Sequence, residues 1–135
     1  MATIKRFEEI ESWKLARELC RKTGRLVDSG RFRNSFKLIA QIESASGSIM
    51  DNIAEGFERG SRAEFILFLG YAKGACGELR SQLYRALDRG YISETDFDEL
   101  VDTATTTSGF IQRFIGYLNQ TKIEGSRKKS RKTQP

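Results

Sequence analysis

Apolar side chains recur every three or four positions along most of this chain, which is the spacing of one face of an α-helix. The first stripe predicts a helix over about residues 12–28, ending at Asp28-Ser29-Gly30. A second stripe predicts a helix from about residue 35 that stops near Gly56 and Gly60. The apolar faces are Trp13, Ala16, Leu19, Cys20, Thr23, Leu26 and Val27 in the first helix, and Ile39, Ile42, Ala45, Ser46, Ile49, Ile53 and Phe57 in the second.

Two serine-led segments predict the starts of two further helices. Ser61-Arg62-Ala63-Glu64 has the S-x-x-E form of a capping box, and Ser93-Glu94-Thr95-Asp96 repeats it with acidic residues in the first turn. We expect the third helix to run to Arg89 and to end at Gly90 in the left-handed conformation. The apolar faces are Phe65, Phe68, Leu69, Ala72, Cys76, Leu79, Leu83 and Ala86 in the third helix, and Phe97, Leu100, Val101, Ala104, Ser108, Ile111, Phe114, Ile115 and Leu118 in the fourth.

Four amphipathic helices joined by short polar connections predict an all-α fold, namely an antiparallel up-down four-helix bundle. No segment alternates with the period of a β-strand. We expect the bundle to be one domain over residues 1–121. Residues 122–135 lack apolar periodicity and carry a run of like charge, which predicts a disordered basic tail.

The third helix carries a second, nearly uncharged face opposite its apolar stripe. Three glycines line up on this face, and each costs about 1 kcal/mol relative to alanine inside a helix. Close approach of another helix would compensate, so we interpret the face as a homo-oligomer interface. A face covered by a neighbouring helix of the same bundle is the alternative. The predicted interface residues are Ile66, Leu67, Gly70, Gly74, Gly77 and Tyr84.

The net charge of +5 lies at one end of the chain. Residues 122–135 hold six basic side chains against one acidic, whereas residues 1–121 hold 17 of each. Lysine and arginine neutralise phosphates and release counterions, so the tail predicts binding to RNA or DNA with little sequence preference. A solubilising extension without a dedicated partner is the alternative. The predicted nucleic-acid-binding residues are Lys122, Arg127, Lys128, Lys129, Arg131 and Lys132.

Histidine is absent, which removes the commonest general base and the commonest metal ligand. The apolar stripes contain almost no carboxylates, and no glycine-rich phosphate loop follows a strand, so we expect no catalytic activity, no metal and no cofactor. Cys20 and Cys76 fall on apolar stripes without a C-x-x-C pair or a signal segment, which predicts small buried thiols in a reduced, cytoplasmic protein. Because the tail lacks an apolar anchor and a lipidation cysteine, we expect no membrane partner.

Four blocks of the sequence follow one another in order over residues 7–118. They are Phe7-Glu8-Glu9-Ile10-Glu11-Ser12-Trp13-Lys14-Leu15-Ala16; Asn52-Ile53-Ala54-Glu55-Gly56-Phe57 with Arg59 and Ser61; Glu64-Phe65 with Phe68-Leu69; and Glu78-Leu79, Gln82-Leu83, Ala86 and Gly90-Tyr91-Ile92. In combination they resemble the 23S ribosomal RNA intervening-sequence proteins, a family of small bacterial four-helix-bundle proteins. The resemblance implies a ring, typically a pentamer, with no known catalytic activity. A related group serves as accessory proteins of diversity-generating retroelements, which implies nucleic acid and a reverse transcriptase as partners.

The most polar group in these blocks is formed by Asn52, Glu55, Arg59 and Arg62, and we take Asn52, Glu55, Gly56 and Arg59 as a structural motif beside the turn between the second and third helices. We expect Asn52 and Glu55 to satisfy backbone amides and a basic partner there, and a recognition or interface cluster is the alternative. The chain departs from the family where Glu43-Ser44-Ala45 replaces basic and small residues and where Met50 replaces a proline. The loss of basic side chains moves the expected nucleic-acid contacts from the second helix to the tail.

Together these patterns predict a non-catalytic, oligomeric helical-bundle protein that binds RNA or DNA through phosphate contacts. The resemblance adds a role as an accessory factor of a ribosomal RNA insertion or of a retroelement reverse transcriptase. The alternative is a protein–protein scaffold ring that does not bind nucleic acid directly.

Overall fold

A computed structural model describes the backbone of residues 3–133 and the side chains of residues 3–121. After a 3₁₀ turn at Phe7–Glu9, the chain forms four α-helices. They are α1 (Glu11–Val27), α2 (Phe36–Glu58), α3 (Arg62–Asp88) and α4 (Glu94–Thr133). Residues 3–133 contain no strand, and the predicted all-α fold is confirmed.

The four helices surround one core in the order in which they follow along the chain. Each helix packs against the helices before and after it in the sequence, and α1 also packs against α4. Short connections make consecutive helices antiparallel, which confirms the up-down topology. Burying one large aliphatic side chain stabilises the fold by about 1.5–3 kcal/mol. Fully buried side chains come from every helix and include Leu19, Ile42, Ile53, Leu69, Leu79, Leu83 and Ile111.

The helix starts predicted at Ser61 and Ser93 are confirmed. The Ser61 hydroxyl accepts a hydrogen bond from the Glu64 amide at 3.0 Å, and the Ser93 hydroxyl accepts one from the Asp96 amide at 3.1 Å. The second half of the capping box differs from the prediction, because the Glu64 carboxylate lies 3.5 Å from Nε of Arg59. The ion pair with Arg59 places the Glu64 carboxylate beside the end of α2.

Gly90 ends α3 as predicted, with a φ of +74°. The Gly90 amide donates to the Leu87 carbonyl at 2.9 Å, and the Tyr91 amide donates to the Ala86 carbonyl at 3.0 Å. These two bonds are the Schellman arrangement, which satisfies carbonyls that the helix end leaves free. A left-handed φ at this position favours glycine.

The connection between α1 and α2 contributes to the core, which the helical pattern does not predict. Phe32 in this connection is fully buried, and its ring centroid lies 5.3 Å from that of Tyr91. The Tyr91 and Ser35 hydroxyls are hydrogen-bonded at 2.6 Å. This hydrogen bond lowers the pKa of Tyr91, and a hydrogen bond with Arg89 lowers it by a smaller amount. The two connections at this end of the bundle are therefore joined to each other.

The two cysteines are both free thiols, but only one is fully buried. Burial raises the pKa of the Cys76 thiol to about 11, which confirms the prediction of a small buried residue there. Cys20 is half-buried, with its sulfur 3.8 Å from the Ser46 hydroxyl. For Cys20 the prediction is correct only in part, because the side chain lies at the edge of its stripe.

The helix bounds of α4 extend past Thr121, where the sequence predicts that the bundle ends. Side chains from residue 122 onward lie outside the described residues. The division at residue 121 and the disordered tail therefore stay predictions. No helix in the described part of the chain has a stretch apolar and long enough to cross a bilayer.

Candidate nucleic-acid interface and assembly surface

Gly56 lies beside the turn, where α2 is in close contact with α3. A Cβ atom at this position would lie 2.7 Å from Cβ of Phe68 and 3.1 Å from Cδ1 of Phe65. Real Cβ atoms essentially never show a contact as short as 2.7 Å, so a larger residue would require α2 or α3 to shift. The structural role predicted for this position has a direct steric reason.

The polar members of the motif do not all reach the turn. Asn52 donates two hydrogen bonds of 2.8 Å one helical turn back, to the carbonyl and the hydroxyl of Ser48. The side-chain amide of Asn52 therefore stabilises α2 itself. Contrary to the prediction from the sequence, it does not bind the backbone amides of the turn, because Asn52 lies almost two turns before the end of the helix. The expected basic partner of Glu55 is Arg59, at 3.9 Å.

Arg59 links the two sides of the turn. Its Nε lies 3.9 Å from the Glu55 carboxylate and 3.5 Å from the Glu64 carboxylate, while its guanidinium carbon lies 4.9 Å from the ring centroid of Phe68. These contacts involve α2 and α3 together. The arrangement favours the structural interpretation of the motif over the recognition one, because its charges face one another.

The back face of α3 is open to solvent within the subunit. Gly70, Gly74 and Gly77 are exposed, and among the described residues a Cβ atom at any of them would meet nothing within 4 Å beyond its own chain neighbours and helix backbone. No helix of the same bundle covers the glycines, so the alternative explanation of this face, coverage inside the bundle, does not account for them. The prediction that it is an oligomer interface remains.

Large apolar side chains flank the glycines on this face. Leu67 and Tyr71 are both about half exposed, at 51% and 52%. Tyr84 is 55% exposed, although its ring also contacts that of Phe97 in α4 with centroids 4.8 Å apart. Ile66 is only half-buried. The predicted interface residues thus lie on one side of α3, and Tyr71 is a further exposed side chain beside them that sequence reasoning did not include.

The predicted tail residues, namely Lys122, Arg127, Lys128, Lys129, Arg131 and Lys132, lie outside the described side chains. Their place in the sequence is nevertheless informative. They follow Thr121, which lies at the same end of the bundle as the turn between α2 and α3. The basic segment therefore begins beside that turn.

An aromatic groove of about 460 Å³ lies at this end of the bundle. Ring contacts connect Phe57 to Phe65 at 5.9 Å, Phe65 to Phe114 at 5.3 Å and Phe114 to Tyr117 at 6.4 Å between centroids. Sequence reasoning placed three of these rings on core stripes and did not find the groove, which forms where the end of α2, the start of α3, α4 and the N-terminal segment meet. The groove is lined by Thr3, Ile4, Phe57, Arg62, Phe65, Phe114, Tyr117, Leu118 and Thr121.

One other concave surface is lined by paired charges. A cleft of about 200 Å³ between α1 and α4 contains Lys22 at 3.4 Å from Glu99 and Arg31 at 3.2 Å from Asp96. These ion pairs tie α1 and its following connection to α4. Among the side chains that the structure describes, no three histidines, cysteines or carboxylates lie close enough to hold a metal ion.

Residues 8–113 match the family model described as 23S rRNA-intervening sequence protein. A solved structure from Bacteroides thetaiotaomicron VPI-5482, a protein with unknown function from the S23 ribosomal protein family, is similar with a TM-score of 0.69. The likeness covers 77% of this chain and 97% of that chain at 22% sequence identity, and it shows the fold alone. No curated protein matches the chain.

Proposed function

Because this chain belongs to the 23S rRNA-intervening sequence protein family, we propose that it is a non-catalytic, oligomeric protein that binds RNA or DNA. Contacts with phosphates supply most of the affinity, and the segment 122–135 makes them. The observation that carries this proposal is the separation of charge along the chain. The bundle is balanced, while the final 14 residues hold the whole net charge of +5.

A segment with six cations and one carboxylate attracts polyanions because each cation that meets a phosphate releases condensed counterions. The bundle itself holds equal numbers of basic and acidic side chains, and three of its basic residues, Lys22, Arg31 and Arg59, lie within 4.0 Å of carboxylates on other helices or across a turn. Binding of this kind has little preference for base sequence.

Oligomerisation through the back face of α3 supports the same function. The open glycines and the exposed Leu67 and Tyr71 form an apolar surface that a second copy would cover. A ring, a pentamer by family resemblance, would gather several tails and raise their effective concentration on one strand. The assembly thereby strengthens binding without any additional contact by each subunit.

Within this proposal the protein acts as an accessory factor, either of a ribosomal RNA insertion or of a retroelement reverse transcriptase. A role on these nucleic acids puts it in the cytoplasm. Catalysis is not part of the proposal, because the sequence has no histidine and the buried side chains among residues 3–121 include no carboxylate. A protein–protein scaffold is the second candidate, and the same apolar face of α3 favours it.

The test is binding of the full-length protein to RNA and DNA at two salt concentrations. If about five cations each meet one phosphate, the log-log salt slope is about −3.5 for single strands and about −4.5 for duplex DNA. Raising the salt from about 50 to 200 mM then weakens binding about 10²- to 10³-fold. Replacing all six basic residues of the tail by glutamine should lower the affinity and flatten the slope.

The glutamine variant keeps the length of the chain, so helicity and oligomer mass serve as its controls. A deletion of residues 122–135 should have the same effect on binding. Unchanged affinity and slope in both variants would move the interface to the bundle. Absence of binding by the unaltered protein at low salt would favour the scaffold.

A further inference from the structure

We propose that the aromatic groove binds an unpaired base, which makes the protein a reader of single strands in preference to duplexes. This inference rests on the proposed function, because the tail holds the same strand by its phosphates. The occupant is one nucleotide of a single-stranded nucleic acid. The argument uses the shape and lining of the groove, its charge and its position beside the basic segment.

The groove presents an aromatic ring to solvent where a base could stack. Tyr117 is 38% exposed and belongs to the ring series that includes Phe114 and Phe65. The Phe114 ring, 6.4 Å from that of Tyr117 between centroids, restricts the positions open to Tyr117, so less conformational freedom is lost when a base stacks on it. Stacking tolerates any base because every base has a π-face.

The charge of the groove suits a polyanion. Arg62 is the only charged residue among the described residues that line it, and no carboxylate lies within 4.0 Å of the Arg62 guanidinium in the part of the chain with described side chains. Its neighbour Arg59, by contrast, is paired with Glu55 and Glu64. Arg62 is therefore suited to contact the phosphate beside a stacked base.

The position of the groove connects it to the tail. Thr121 lines the groove, and Lys122 follows it directly, so a strand held by the basic segment passes the groove opening. A second groove of about 460 Å³, which shares Tyr117, is less suitable: Glu9 and Glu11 outnumber its one cation, Arg113, so its lining has a net negative charge that repels phosphates. Charge complementarity thus selects the groove that contains Arg62.

A duplex cannot use this groove without cost, because its bases are stacked on one another and paired. Flipping one base out of a duplex costs a few kcal/mol, whereas a single strand offers bases that are already accessible. The groove therefore adds affinity for single strands alone. The tail, which contacts phosphates, binds both forms.

The experiment compares three probes with the full-length protein: a polythymidine strand, an abasic strand of the same length, and a duplex of the same length. Polythymidine should bind about 5- to 100-fold more tightly than the abasic strand, because stacking on aromatic residues adds that factor per base. The variant Tyr117→Leu should lose this advantage with an unchanged salt slope, since no charge is removed. Tyr117→Phe should keep it.

The matched control is Phe36→Leu, which removes an aromatic ring that is 69% exposed at the opposite end of α2, about 30 Å away. It should leave all three affinities unchanged. Circular dichroism and light scattering show whether each variant keeps its helicity and mass.

Arg62→Gln should lower the affinity for polythymidine and reduce the salt slope by about one phosphate contact.

Equal binding of polythymidine and the abasic strand would overturn the inference, even if salt-sensitive binding through the tail still supported the proposed function. A Tyr117→Leu variant with a lower oligomer mass would also overturn it, because the groove would then be a contact between copies of this chain. Loss of the polythymidine advantage in Phe36→Leu would point away from the groove. If the unaltered protein bound none of the probes, both proposals would fall.

Discussion

Glycine occupies two opposite environments around α3. On the side that faces α2, Gly56 sits where a methyl group would overlap Phe68 at 2.7 Å. On the back face, Gly70, Gly74 and Gly77 have free space around every Cβ position. Both sites lie in helices, where glycine costs about 1 kcal/mol relative to alanine. The first cost is offset by close packing inside the subunit, and the second has no such compensation there.

The difference shows how a contact outside the subunit can be inferred from one chain. A glycine enclosed by its own bundle is explained by that bundle. Three glycines with nothing near them cost about 3 kcal/mol together, and the two half-exposed apolar side chains beside them add exposed surface. A helix from a second copy would account for both features.

The largest expected effect is on assembly, in the variant Gly74→Glu. A buried, unpaired carboxylate and its bulk should separate the subunits, because close approach of two helices leaves no room for it. Light scattering should give the mass of an oligomer for the unaltered protein and a smaller mass for the variant. The control Gly116→Glu changes an exposed glycine of α4 and should keep the oligomer mass. A monomeric unaltered protein would show that the back face is not an interface.

The next effect is on the stability of the subunit, in the variant Gly56→Ala. The added methyl group must displace Phe68 or separate α2 from α3, so the free energy of unfolding should fall by about 1–3 kcal/mol despite the better helix propensity of alanine. Urea unfolding monitored by circular dichroism measures the change. An increase in the free energy of unfolding would contradict this prediction, because it would mean that α2 and α3 can move apart at Gly56 with little loss of energy.

A smaller effect concerns Cys76, on the core side of α3. The pKa of Cys76 is about 11 in the folded protein, compared with 9.0 for an unfolded thiol. Between these two values the unfolded state loses the proton and the folded state keeps it, so the free energy of unfolding should decline as the pH rises from about 9 to 11. By pH 10 the loss should be about 1 kcal/mol. Cys76→Ala should lack this part of the pH dependence, and parallel curves for the two proteins would contradict it.

The smallest effect is expected for Gly74→Ala in dissociated subunits. Nothing in the subunit blocks the methyl group, so helix propensity alone should raise the free energy of unfolding by about 0.5–1 kcal/mol. Urea unfolding, carried out at protein concentrations low enough for the assembly to dissociate, measures this change in the free energy of unfolding. A decrease similar to that of Gly56→Ala would show that the two environments do not differ as described.

The sequence predicts what depends on neighbouring turns of one helix. Caps at Ser61 and Ser93 and the left-handed Gly90 are local patterns, and each is confirmed. The burial of Phe32 was not predictable in this way, because it depends on the meeting of two connections that are almost 60 residues apart. Helical periodicity carries no information about such meetings.

The same limit applies to the candidate sites. The back face of α3 follows from angles along one helix, and its openness agrees with the prediction. The aromatic groove combines Phe57, Arg62 and Tyr117 from three helices, and each was assigned to a local role or to none. Only the packing of the helices against one another brings Tyr117 and Arg62 together.

The contact between α1 and α4 differs from the other three helix contacts in how far apart its residues lie along the chain. Lys22 and Glu99, for example, face each other across this contact, although surface pairs of this kind contribute little energy. The remaining contacts join consecutive helices, so the loops that must close during folding are short. We therefore expect submillisecond to millisecond folding that begins in any of the three hairpins and finishes when the first helix docks against the last.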